Sequence, residues 1–190
     1  MEHSRVAHLH ALPSRTIAAQ ALWITGFALL TAVGAQIEIP HLPVPYTLQT
    51  FFVLLSGALL GKRNGALSQL LYVTLGVAGL PLFSSWGFGI ARVMGPTGGY
   101  LLAFPVAAFA VGYLVRRQNN FFWTLGAMFI GLLIIFSLGT LQLNFLYFHD
   151  WALSFSSGFL IFSWWDVVKL VAAASIATRL SPGRFSPSGA

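Results

Sequence analysis

The sequence predicts an all-α integral membrane protein: six transmembrane helices in a compact bundle, with both termini in the cytoplasm. Three observations carry that prediction. Only 7% of the 190 residues are charged and 57% are hydrophobic, with a mean hydropathy of +0.79, where a soluble domain carries about 25% charged residues. Marking charged residues alone leaves uncharged runs from Thr16 to Ile37, Ile39 to Gly61, Asn64 to Ala91, Val93 to Val115, Gln118 to His149 and Trp151 to Trp165. Nearly every run is long enough to cross a bilayer, which takes about 20 apolar residues at 1.5 Å each. Finally, the basic residues between the runs fall almost wholly on alternate loops.

Turn residues trim the runs to spans near 17–36, 46–61, 64–81, 97–115, 121–146 and 156–178. Pro40, Pro43 and Pro45 separate the first span from the second, and Lys62 and Arg63 separate the second from the third. Pro81 and Pro96 bracket an outer loop over 81–96. Pro105 is the one proline inside a span, and the sequence predicts a kink there, which lipid tolerates only where neighbours or a cavity satisfy the freed backbone groups. Arg116 and Arg117 divide spans four and five, and His149 and Asp150 divide five and six. Trp123 and Trp151 fall near span ends, as interfacial belt residues do. No internal repeat or linker divides the chain, so 1–190 reads as a single membrane domain.

Arg5, Arg15, Lys62, Arg63, Arg116, Arg117, Arg179 and Arg184 then share one side, opposite Arg92, Glu38, His149 and Asp150. The positive-inside rule makes the basic side, with both termini, cytoplasmic; the expected location is a cell membrane. Arg5 and Arg15 ahead of an apolar stretch ending Val33-Gly34-Ala35 also resemble a cleavable signal peptide. The stretch is longer than a typical signal core, and its removal would upset the parity of the loops.

Several function classes drop out. Low charge and many aromatics exclude a disordered chain, and the absence of cysteine excludes a disulfide scaffold. The excess of ten Lys/Arg over four Asp/Glu sits between apolar runs rather than over a solvated face, so it does not indicate nucleic acid. Gly57-Ala58-Leu59-Leu60-Gly61-Lys62-Arg63 is one residue short of a phosphate-binding loop and lacks its hydroxyl. Gly87-Phe88-Gly89-Ile90-Ala91-Arg92 starts like a dinucleotide fingerprint but ends on Arg. His3, His8 and His10 lie in the N-terminal tail, with His41 and His149 in separate loops, so no metal site or resident cofactor is expected. No Ser-His-Asp spacing suggests an enzyme.

Three features remain. Asp166 and Lys169 are the ionisable residues well inside a span, and at i, i+3 they share a helix face. Charge at membrane depth costs about 2.5–3.5 kcal/mol, so such residues usually face the interior and serve a purpose; the alternative is a buried pair that only fixes the helix. The loop Pro81–Pro96 mixes aromatics with glycines and carries Arg92, which suggests a lid over the bundle, or else a loop in the headgroup layer anchored by Trp86. In span one, Ala18, Ala21, Thr25, Ala28, Ala32 and Ala35 form a stripe of small side chains, either an internal packing seam or a docking surface for another subunit.

Gly34-Ala35-Gln36-Ile37 through Pro40, Pro43-Val44-Pro45-Tyr46-Thr47-Leu48-Gln49-Thr50, Gly79-Leu80-Pro81, Gly95-Pro96-Thr97-Gly98-Gly99-Tyr100-Leu101-Leu102 and Asp166-x-x-Lys169 resemble, in that order, the BioY family. These are the biotin-specific S components of energy-coupling factor (ECF) transporters, and the likeness runs from about residue 17 to 178. Trp164 and Trp165 stand where the family often has proline or glycine, and Arg92 belongs to no matched motif. The resemblance implies high-affinity capture of biotin from outside, energised by a transmembrane coupling protein and two ATPase subunits, although some members act without a dedicated module. It makes Asp166, Lys169, Tyr100 and Gln49 expected biotin-binding residues; the chemistry of biotin adds Arg92 or Lys169 as the cation for its carboxylate, and the lid loop adds Trp86 to an apolar, aromatic-lined cavity. By analogy with small-x-x-x-small motifs in this transporter class, it makes Ala28 and Ala32 the docking face. The rival readings are an S component for another small vitamin and a membrane enzyme using Asp166 as acid or base.

Overall fold

The computed structural model describes residues 17–118, 120–160 and 164–180. The tail residues Arg5, Arg15, Arg184, His3, His8 and His10 lie outside them. The described chain forms helices α1 (Ile17–Gln36), α2 (Gln49–Val77), α3 (Ile90–Met94), α4 (Gly98–Val115), α5 (Phe121–Gln142), α6 (Trp151–Ser154) and α7 (Trp164–Leu180). Two short strands, β1 (Glu38–Ile39) and β2 (Tyr46–Thr47), pair antiparallel. Helix α2 packs against α1 and α4, α4 against α5, and α7 against both α2 and α5. Among the described residues, α1, α4 and the helix Phe121–Phe148 are long and apolar enough to cross a membrane. Trp151–Phe159 and α7 together make a fourth candidate, bent by 49°.

Helix α2 is a hairpin. Gly61 breaks it with φ 79° and ψ 175°, a conformation that glycine adopts without steric cost. The pairs Gln49–Tyr72 and Ser56–Gln69, joined by hydrogen bonds of 2.5 and 3.1 Å, straddle Gly61, so the segments 49–60 and 62–77 run antiparallel. At 1.5 Å per residue the two are about 18 and 24 Å long, short of the ~30 Å hydrocarbon core. The irregular segments 37–48 and 78–97 flank the hairpin at the end away from Gly61. Irregular backbone persists at membrane depth only where it is buried in protein or lines a cavity, so this end, hereafter the cap end, is where a site is to be sought.

Other boundaries also depart from the sequence expectation for physical reasons. The second helix starts at Gln49 because Tyr46–Thr47 pair with Glu38–Ile39. The hairpin's return half ends at Val77, before the positive φ of Gly79 and before Pro81. Helix α4 runs unbroken through Pro105. Helix α5 continues as a π-helical segment, Leu143–Phe148, and another, Phe155–Phe159, follows α6; such segments often occur at functional sites.

Large apolar side chains such as Leu22, Leu29, Phe122 and Phe129 are exposed, as on a surface solvated by lipid, while small residues such as Ala103, Ala107 and Ala108 are fully buried where helices meet. Midway along the hairpin, Gln69 accepts from Thr31 (3.2 Å) and donates to Ser56 and Ser68. Pairing this buried amide avoids the cost of an unsatisfied polar group and links α1 to both halves of α2.

Candidate functional site

A cavity opens at the cap end, enclosing about 620 Å³ of atom-free space with its mouth included. Its wall comes from Val44–Thr50, from Phe83 and Ser84 of the cap, from Thr97, Tyr100, Leu101 and Phe104 at the start of α4, from Ile135 and Phe136 of α5, and from Asp166 and Lys169 of α7. Most of this lining is apolar and aromatic, with a few convergent polar groups, the usual make-up of a small-molecule site.

The charged centre is fully engaged. Asp166 and Lys169 are 3% and 5% exposed, and Lys169 Nζ lies 2.7 Å from Asp166 Oδ1. The same ammonium donates to the Thr47 carbonyl at 3.0 Å and to Thr50 Oγ1 at 2.8 Å. Its three donors thus have three acceptors, all on the cavity wall. The pair is electrically neutral, which makes its burial tolerable.

A hydrogen-bond chain leads from this centre to the cap. Thr47 Oγ1 donates to Gln49 Oε1 (2.9 Å), Gln49 Nε2 donates to Tyr72 OH (2.5 Å), and Tyr72 OH donates to the Leu82 carbonyl (3.2 Å). Gln36, at the end of α1, holds the same loop by donating to the Phe83 carbonyl and accepting from the Trp86 N–H. Phe83, buried edge-on against Tyr72, closes the cavity from the cap side. The far end of the loop is held by Gln142, whose Nε2 donates to the carbonyls of Val93 (2.7 Å) and Gly95 (3.1 Å). Gly98 and Gly99 permit this close approach: a Cβ at Gly99 would lie 2.5 Å from the Leu138 carbonyl and 2.7 Å from Gln142 Cβ. Tyr100 donates to the Gly158 carbonyl at 2.8 Å and thereby fixes the second π-helical segment to the cavity wall.

A sequence profile of the BioY family matches residues 4–184. The chain belongs to the BioY family. A protein of Thermotoga maritima named "Biotin transporter BioY" is 49% identical over 154 residues, covering 81% of this chain and 90% of its own. A "Probable biotin transporter BioY" of Pyrococcus horikoshii is 44% identical over 155 residues, covering 81% and 91%. A crystal structure described as the S-component for biotin from an ECF-type ABC transporter superposes with a TM-score of 0.80 at 24% identity, covering 90% of this chain and 94% of that one. That likeness speaks to the fold.

The residues singled out from the sequence divide into groups in this BioY protein. Asp166, Lys169, Gln49 and Tyr100 meet on the cavity wall. Arg92 stands behind the wall, donating to the Ser84 carbonyl at 3.3 Å. Trp86 does not line the cavity. The residue is 67% exposed, as Ser85 and Trp86 both take positive φ and the backbone turns the side chain outward; Phe83 is the aromatic that plugs the site. Ala28 and Ala32 are 2% and 7% exposed, so these two belong to the seam inside the bundle, whereas Ala18, Ala21 and Thr25 of the same stripe are exposed.

Sequence reasoning did not single out Tyr72, Gln36, Gln142 or Thr50 as site residues. The first three carried a usable signal, being polar side chains within or at the end of apolar helices, where an unpaired amide or hydroxyl is costly. The part played by Thr47 through its carbonyl leaves no trace in a sequence.

Proposed function

We propose that this chain is the biotin-capturing S component of an ECF-type vitamin transporter, resident in the cell membrane. The observation that carries the reading is the buried Asp166–Lys169 pair on the wall of a capped cavity, in a chain whose relatives are named biotin transporters. The carboxylate of Asp166 suits the N–H donors of a ureido ring, and the amide of Gln49 suits its carbonyl. The rings of Tyr100, Phe104 and Phe136 suit the thioether ring and valeryl chain. The biotin carboxylate needs a cation, for which Lys169 on the wall serves, or Arg92 once it leaves the Ser84 carbonyl behind the wall and turns inward.

In this reading α1, the two halves of α2, α4, α5 and the bent α6–α7 pair make six crossings. The tip of the hairpin at Gly61, the end of α4 and both termini then face the cytoplasm. Lys62, Arg63, Arg116 and Arg117 at that end, with Glu38 and Asp150 at the other, support it through the positive-inside rule. A transmembrane coupling protein with two ATPase subunits supplies the energy, and the exposed stretch Ala18–Ala21–Thr25 is the part of the stripe open to such a partner.

Calorimetry with biotin on the detergent-purified chain tests the function: saturable binding of unaltered biotin is expected, and no binding, or release of a changed product, would overturn it. Because the chain has no cysteine, Ser85→Cys and Arg117→Cys can be probed on intact cells with an impermeant thiol reagent. Labelling at 85 alone is expected, and labelling at 117 alone would reverse the topology.

A further inference from the structure

A second, open cavity lies at the opposite, tip end, between the Gly61 turn and the end of α4, with about 1100 Å³ of atom-free space once the solvent at its mouth is included. Its inner wall is apolar, from Leu60 and Val115, and its rim is Lys62, Arg63, Asn64 and Arg116. Gly112 lets α4 meet the turn backbone to backbone, since a Cβ there would strike Lys62 N; Lys62, Arg63 and Arg116 are thereby brought to one opening.

We propose that this cavity binds the phosphodiester headgroup of an anionic phospholipid, in the leaflet that the tip end faces. Charge gives the first argument. The described acidic residues, Glu38, Asp150 and Asp166, all belong to the cap end, and among the described residues the one salt bridge is Lys169–Asp166. The cations of the rim therefore face one another with no carboxylate among them, and an anion shared between them relieves that repulsion. Shape gives the second. The Lys62 ammonium lies 5.8 and 5.4 Å from the rings of Phe109 and Tyr113, which are exposed on α4 in line with Val106. The rim thus runs directly into a lipid-facing apolar strip, so a ligand with a phosphate and acyl chains fits both, whereas a free phosphate fits only the rim.

Native mass spectrometry of the purified full chain, titrated with phosphatidylglycerol, phosphatidylcholine or inorganic phosphate, tests this independently of biotin. Phosphatidylglycerol is expected to bind at least about tenfold more tightly than either of the others. Lys62→Gln with Arg116→Gln should weaken it about tenfold. The control, Arg179→Gln, removes a cation of the same end that does not line the cavity and should weaken it at most about twofold, less than Lys62→Gln alone; Arg117 is left in place because it lies over the Tyr113 ring of the strip. The thermal midpoint of each variant checks folding, and the comparison of the three ligands on the unaltered chain needs no variant at all. Equal binding of the two lipids would show no preference for a net negative headgroup, and equal losses in Lys62→Gln and Arg179→Gln would show diffuse attraction to charge; either result overturns the site. Inorganic phosphate binding as tightly as phosphatidylglycerol would assign the rim to a soluble anion and overturn the lipid.

Discussion

The two ends of the α2 hairpin solve opposite problems. At the cap end the helices stop short, and irregular backbone fills the remaining depth around Asp166 and Lys169, so every polar group there needs a partner inside the protein. Lys169 has three acceptors, and Gln49, Tyr72 and Gln142 are each tied to a second element. At the tip end the backbones meet through Gly112, and the cations of the rim have no acidic partner among the described residues. Charge at the Asp166–Lys169 centre is therefore consumed within the fold, and charge at the tip end is left facing outward. The difference teaches that burial decides the worth of a charge: a group 5% exposed must be paired, while a rim cation beside water or headgroups need not be.

The largest effects should therefore come from the paired end. Lys169→Met leaves the Asp166 carboxylate buried without its cation, and breaking such a pair costs about 3–5 kcal/mol. Asp166→Asn leaves Lys169 with neutral acceptors only and no counter-charge. Each is expected to lower biotin affinity by at least about 2 kcal/mol, close to thirtyfold. The double change should cost less than the sum of the singles, because both partners serve one network. Lys62→Met at the tip end should leave biotin affinity within about twofold. Calorimetry on folded variants reads all four, and unchanged affinity in both single variants at the cap end would reduce the pair to a structural tie.

The same contrast explains how much was legible beforehand. Long apolar runs and paired arginines are coarse features, so the helical membrane architecture could be read directly, and the ordered motifs from Gly34 to Lys169 identified the family. The Asp166–Lys169 pair stood out because charge inside a span is rare. Finer features depend on partners distant in sequence. Nothing local says that Trp86 turns outward while Phe83 turns in; that follows from two positive-φ residues held by Gln36. Nor does a stripe of small residues reveal that its upper half is buried and its lower half exposed, since both halves have the same composition. The π-helical segments beyond Gln142 were likewise hidden, because their hydrophobicity matches that of an ordinary span.

The stripe supplies an intermediate effect. Ala28 is packed inside the bundle, so Ala28→Trp should overpack the seam and lower stability by about 1–3 kcal/mol, read as a fall in the thermal midpoint together with weaker biotin binding. Ala21→Trp, on the exposed half of the same face, should leave both unchanged and impair only transport in cells. If both substitutions destabilised equally, the division of the stripe into a seam and an open face would fail. If neither impaired transport, the open half would have no part in coupling.

The smallest effect expected at the cap end isolates the link between the charged centre and the lid. Tyr72→Phe keeps the ring that packs on Phe83 but removes the hydroxyl that accepts from Gln49 and donates to the Leu82 carbonyl. A hydrogen bond of this kind contributes about 1 kcal/mol net, so roughly a fivefold loss of affinity is expected. Where the loss falls carries the information. If the hydroxyl holds the cap closed over an occupied cavity, biotin should dissociate about fivefold faster with its association rate little changed, because the cavity is formed by residues that the substitution leaves in place. If the hydroxyl only orients Gln49 toward the ligand, the loss should be the same for biotin held behind an intact cap and for biotin in a variant whose cap is already loosened by Gln142→Leu. A double variant that loses less than the sum of its singles places Tyr72 and Gln142 on one closure, and strictly additive losses separate them.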